Sequence, residues 1–225
     1  MPPRVKRAGS RKTVTAENLA ELGAERLAGI LMSAADDDPA LKRRLRMELA
    51  GEVGAEHLAA ELAKRLTAIE TRRSRVHWRK YKGFVRELDL LRRMIAGPLT
   101  EQDAPLALDH FMRLLEMANG LFELVDDSRG EVEAVFRRAV GEAGDLVGRV
   151  HPGAAWIERV AALLSTDDEQ LFGDLIREAA PNLAPELLDR LRARLAAAQA
   201  QRRRPAPSLR KALQAIADAQ GDVEA

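Results

Sequence analysis

The sequence predicts an all-α fold of antiparallel helical hairpins stacked as an irregular solenoid, and three observations predict it. Aromatics are only 4% of the 225 residues, while the 46% hydrophobic content is mostly Ala and Leu, which enter helices at little cost in side-chain freedom. Apolar residues recur at three- and four-residue spacing through most of the chain. Each such run ends at Gly, Pro or a short polar residue able to cap the next helix.

Residues 1–14 are expected to form a disordered basic tail. The first twelve hold five basic and no acidic side chains among Pro, Gly and Ser, too little apolar surface to offset the entropy of ordering. Val14-Thr-Ala-Glu-Asn follows instead of the apolar run of a secretory signal.

The helical-hairpin domain is read as residues 15–201. Leu19 and Leu22, then Leu27, Ile30 and Leu31, give a short and a longer helix split at Gly23. Asp38 is the expected N-cap of the next helix, with Pro39 at its first position. Leu41, Leu45 and Leu49 form its stripe, and Gly51 and Gly54 punctuate its end. Leu58, Leu62, Leu66 and Ile69 predict a helix over 55–71. His57 has no second ligand at i+4 and reads as a surface or packing residue.

Between Arg72 and Lys82 lie six basic and no acidic residues, with Trp78 and Tyr81 interleaved. Trp78, Tyr81, Val85, Leu88 and Ile95 fall on one helical face and are read as core, although interleaved aromatics also suit stacking on bases. Arg75, Arg79, Lys82, Arg86 and Arg93 would align as a ridge on a continuous helix. Together with Arg72, Arg73 and Lys80 it could follow phosphates, or stand as a solvated face neutralised by Glu87 and Asp89.

Ala96-Gly97-Pro98 should end that helix. Thr100 and Asp103 have capping-box spacing before a wide apolar stripe, Phe111 to Val125. Asp126-Asp127-Ser128-Arg129-Gly130-Glu131 then separates this stripe from Val132, Val135, Phe136, Ala139, Val140, Ala143, Leu146 and Val147, so the two helices should pack as a hairpin. Ser128 and Glu131 carry S-x-x-E spacing, with Asp127 adding negative charge before the helix. The stretch lacks the regularly spaced oxygen ligands of a calcium loop, and no metal is expected.

Thr166 and Glu169 repeat the S/T-x-x-E pattern, and residues 167–200 read as a second hairpin broken at Ala180-Pro181. Residues 202–208, with Arg202, Arg203 and Arg204, form an Arg/Pro linker. Ser208 is the expected N-cap of a helix to Ala219 within a further hairpin, 209–225, that breaks off unfinished. That helix would then lack a partner for Leu209, Leu213 and Ile216.

The net charge is only +1 with 32% charged residues, so nucleic-acid binding would have to rest on local clusters. With no cysteine there is no disulfide framework, thiolate zinc site or Cys nucleophile, which suits the cytoplasm. No apolar run approaches the ~20 residues needed to span a bilayer. Phosphate-loop, nucleophile-elbow and zinc-helix motifs are absent, and no catalytic or cofactor-binding residue stands out.

Glu17 to Leu31, Asp38 to Arg46, the Trp78-Arg-Lys element and Val125 to Gly130 together resemble a family of uncharacterised bacterial all-helical proteins. The V-D-D-S-x-G hairpin is also similar to one in the helical region attached to bacterial SWIM zinc fingers. The cysteine-free chain does not carry the finger. The resemblance implies hairpins similar to tetratricopeptide repeats and no catalytic residues. The expected function is a non-enzymatic scaffold that binds a protein or peptide. The alternative is nucleic-acid binding through the ridge Arg75–Arg93, the tail and the linker.

Overall fold

The computed structural model describes residues 13–167, 170–200 and 206–221, and every regular element among them is helical. The tail 1–12, Glu169, and Arg202, Arg203 and Arg204 lie outside the described residues. The chain divides into two compact units, Met1–Arg46 and Met47–Ala225.

In the first unit, Thr15 caps α1 (Ala16–Ala20), its Oγ1 accepting from the Asn18 N–H at 3.2 Å. Gly23, at φ 80°, leads into α2 (Ala24–Asp37). Asp38 opens α3 (Pro39–Val53), its Oδ1 accepting from the amides of Ala40 at 2.8 Å and Leu41 at 3.2 Å. The expected Leu41, Leu45 and Leu49 seam does not form. Within the second unit α3 buries Met47 and leaves Leu49 exposed.

The second unit begins its core at α4 (Ala55–Glu70), which buries Leu58, Leu62, Leu66 and Ile69. The chain is not helical from Arg72 to His77 and becomes so again in α5 (Trp78–Met94). Ala96-Gly97-Pro98 does not stop α5. A π-helical turn, Ile95–Leu99, carries the chain past Pro98 into the short α6 (Thr100–Gln102). In such a turn a carbonyl is met from five residues on, and both the N–H and the Oγ1 of Thr100 donate to Ile95 O. Thr100 is therefore not an N-cap. Asp103 caps the next helix, accepting from the Leu106 N–H at 2.9 Å.

That helix, α7 (Ala104–Glu116), continues through Met117 into α8 (Ala118–Phe122). The chain then turns back into α9 (Glu131–Val150). Phe122 and Phe136 meet near the turn with centroids 5.6 Å apart, while Phe111 and Leu146 share a crevice further along. α7 and α9 are thus antiparallel.

Helices of successive hairpins pack side by side in two rows. One row is α4, α7, α10 (Ala154–Leu163) and α12 (Pro185–Ala200). Ring nitrogens of His110 meet Leu106 O and Ala59 O, and Arg113 holds Glu70 through two bonds of 2.7 and 2.6 Å. Arg159 then joins α10 to Asp109 and Glu116, and Arg194 joins α12 to Glu158. The other row is α5, α9, α11 (Leu171–Ala179) and α13 (Pro207–Gln220). Asp89 meets Arg138 at 3.3 Å and Arg92 meets Glu142, so residue numbers rise together along α5 and α9.

Two glycines bring α9 against α11 and the 3-10 turn, Ala180–Asn182, that follows it. A Cβ on Gly144 would lie 2.6 Å from Glu178 Cβ, and one on Gly148 2.5 Å from Asn182 Cβ. No side chain fits between the backbones there. α13 packs just as firmly on α11. Leu209, Ala212 and Ile216 are fully buried, against the expectation of an unpartnered helix. Gly173 allows that approach, because its Cβ position is 3.1 Å from Ser208 O.

Two aspartates start α9 and α11 by one device. Asp127 accepts from the amides of Val132 at 3.0 Å and Glu133 at 2.8 Å. Asp167 accepts from Leu171 and Phe172 at 2.8 Å and from Gly173 at 3.2 Å. Three residues after each aspartate the backbone is left-handed, at Gly130 with φ 66° and at Gln170 with φ 59°. In both, that residue's N–H donates to the aspartate's own carbonyl. The capping box expected at Ser128 and Glu131 does not form: Ser128 is exposed and its N–H meets Asp126 Oδ1 at 3.3 Å. The left-handed Gly130 lets Asp127, further upstream, reach the helix start. Thr166 likewise yields to Asp167, its Oγ1 turning to Leu163 O. Ser208 lies inside α13, not at its cap, and its buried Oγ donates to Asp167 Oδ2 at 2.6 Å. Burial pushes the Asp167 carboxyl above its usual range, against the hydrogen bonds from Ser208 and the three amides.

Candidate functional site

The loop into α5 and that helix's first turns carry exposed cations and an exposed indole. The loop is firmly held. The Val76 N–H donates to Leu124 O at 2.8 Å, burying Val76, and Arg72 Nε donates to Ser74 O at 2.9 Å with its guanidinium over the Phe84 ring. His77 caps the helix, its Nδ1 accepting from the Arg79 N–H at 3.3 Å.

Trp78 is not core. It is 73% exposed, while Tyr81, Leu88, Leu91 and Ile95 from the same stripe are buried. The helix begins only at Trp78, while Val76 from the loop before it is buried. Arg79 places its guanidinium 5.0 Å from the indole centroid, and the His77 ring lies 5.7 Å away on a 31° tilt.

The predicted basic ridge is broken at both ends. Arg75 lies in the loop, outside the helix, and Arg93 is paired with Asp89 at 3.2 Å. What remains is a cluster around Trp78. Among the described residues, Arg73, Arg75, Arg79, Lys80, Lys82 and Arg86 are exposed and have no ion-pair partner. Other arginines on or against α5 are used internally: Arg65 of α4 by Glu87, and Arg92 by Asp89 and Glu142. Burial drives the Glu142 carboxyl up, whereas at Asp89 the charges and hydrogen bonds of the arginines outweigh burial and hold it below its usual range. A crevice of about 300 Å³ beside the loop is lined by Glu70, Arg72, Arg73, Met117 and Glu123. Its mixed charge sets it apart from the uniformly basic face of α5.

Behind this face, Tyr81 donates its hydroxyl to Asp127 Oδ1. Burial first, then that hydrogen bond and the charges of Asp127 and Glu131, push the Tyr81 hydroxyl up to about 12. Asp127, expected from sequence as a helix-start charge, thus also fixes the start of α5. Among the described residues no group of three or more His, Cys, Asp or Glu is placed to hold a metal ion. No helix of the described residues is long and apolar enough to cross a membrane.

These features define an all-helical protein with a rigid cationic face around one exposed indole. Over residues 9–211 the chain matches the family described as Family of unknown function (DUF6880), and it belongs to that family. No curated protein and no solved structure matches it.

Proposed function

We propose that the chain is a non-enzymatic cytoplasmic scaffold whose stacked hairpins, an irregular solenoid similar to tetratricopeptide repeats, hold a surface for another macromolecule. The packing of each hairpin's helices on those of its neighbours carries this reading, because stacked hairpins bury shared apolar faces. The recurring aspartate device at α9 and α11 supports it, since it gives the return helices of successive hairpins the same start. The likeness to the helical region beside SWIM fingers belongs to the same proposal. Capture from native lysate, with and without nuclease, tests the reading. A protein partner retained after nuclease treatment and lost on Trp78→Ala supports it. A clean eluate in both arms contradicts it.

A second reading, binding of nucleic acid, is favoured by the unpaired cations around Trp78. An ion-paired arginine can serve the fold alone, whereas six unneutralised cations beside an exposed indole offer charge and a stacking face to an anionic polymer.

A further inference from the structure

We infer that the face formed by residues 72–86 is a binding site for single-stranded nucleic acid, with Trp78 as the base-stacking platform. The inference deepens the second reading above and rests on it. Trp78 is 73% exposed, and Arg79 lies across the indole and steadies it. An indole so presented needs a flat, unsaturated partner, and every base offers one without sequence preference.

The charges fit the same ligand. Trp78, Lys82 and Arg86 succeed each other at one-turn spacing, and Arg75 and Arg79 flank the indole before and after it. Gly83 leaves bare backbone one turn beyond Arg79, and nothing lies within 4 Å of the place a Cβ would take. Packing does not require a glycine there, and its absence of side chain lets a sugar–phosphate chain lie close to the helix.

Single-stranded ligands are favoured over duplex because bases inside a duplex already stack on one another and cannot receive the indole. A lipid surface fits less well. Within the second unit the other exposed large hydrophobics among the described residues are Leu49 and Val53, both on α3, so the face itself would insert Trp78 alone. An acidic peptide would engage the cations but has no need of an indole face.

The test is anisotropy of labelled oligothymidylate of roughly 16 nucleotides, set against the matching duplex, polyglutamate and phosphatidylserine vesicles. The single strand should bind best. Its log affinity should fall with log salt by about 0.7 per phosphate engaged, and Arg75→Ala, Arg79→Ala and Lys82→Ala should each flatten that slope. Trp78→Ala should weaken binding about five- to hundredfold, with Trp78→Phe restoring most of it. Helical circular dichroism checks that both variants fold. Equal affinity for duplex with Trp78→Ala neutral would overturn the stacking site. Preference for polyglutamate or vesicles would overturn nucleic acid as the ligand while leaving the scaffold reading intact. No binding of any probe at low salt would overturn both this inference and the second reading.

Discussion

The hydroxyl of Tyr81 donates to Oδ1 of Asp127, the carboxylate that also receives the Val132 and Glu133 amides. One side chain therefore sets the start of α9 and its register against α5. Asp127→Ala should destabilise the fold by about 0.5–2 kcal/mol as a lost cap, and toward the upper end because Tyr81 loses its acceptor too. Ser128→Ala, at an exposed residue whose side chain caps nothing, should stay within about 0.5 kcal/mol of the parent. Urea denaturation of both variants checks the order. A larger loss at Ser128 would return the cap to the serine.

Tyr81 is the one tyrosine of the chain, so its titration can be followed directly by ultraviolet absorbance. The folded value of about 12 lies above the roughly 10 of an unfolded tyrosine. Its contribution to stability is therefore complete below about pH 10 and is lost as pH rises toward 12. Asp127→Asn should lower the midpoint. Ionisation near 10 while the far-ultraviolet spectrum is still helical would contradict the Tyr81–Asp127 contact.

Most of the fold was legible because amphipathic spacing and punctuation are local properties. Leu58, Leu62, Leu66 and Ile69 lie on one buried stripe as their spacing required. Caps were misplaced where reach depended on backbone handedness. Ser128 and Thr166 had the right spacing, yet left-handed residues at Gly130 and Gln170 hand the amides to Asp127 and Asp167. Gln170 gave no signal of this, since a left-handed conformation is ordinarily announced by Gly or Asn. The aspartate three residues before Gly130, and again before Gln170, was the only visible trace of the recurrence. Trp78 falls outside the buried stripe: periodicity cannot say where a helix begins, and the stripe's buried part starts one turn further on, at Tyr81. Of the basic residues, the clustering and the local pair of Arg93 with Asp89 are legible in the sequence, whereas pairs such as Arg138 with Asp89 and Arg92 with Glu142 depend on neighbours distant in the chain.

The close contact between α9 and α11 gives a sharper packing test. Gly144→Ala and Gly148→Ala each force a methyl against Glu178 or Asn182, which should destabilise by about 1–3 kcal/mol through overpacking. Gly83→Ala, in open space on α5, should instead stabilise by roughly 0.5–1 kcal/mol. Thermal melts that rank Gly144→Ala as neutral would contradict the direct approach of the two backbones.

Glu70 and Arg113 give a pH test on the first row. The Arg113 hydrogen bond, working against burial, holds the Glu70 carboxyl below its usual range. The bridge therefore contributes fully above the ordinary Glu value of about 4.3 and fades as pH falls through the lower folded value. Because both side chains are part-exposed, the contribution should be about 0.2–1 kcal/mol. The difference in stability between the parent and Glu70→Gln should shrink on acidification; a difference that grows would reverse the sign.

Trp78 stands as an exposed platform within a cationic face, and tryptophan emission reads that exposure. Trp156→Phe removes the other indole, whose Nε1 is buried without a hydrogen-bond partner among the described residues, and leaves Trp78 as the sole reporter. In that variant the emission should be that of a solvated indole, strongly quenched by iodide drawn to the surrounding cations, and further quenched to saturation by oligothymidylate at low salt. Emission of a buried indole, or emission indifferent to saturating oligothymidylate, would contradict the account.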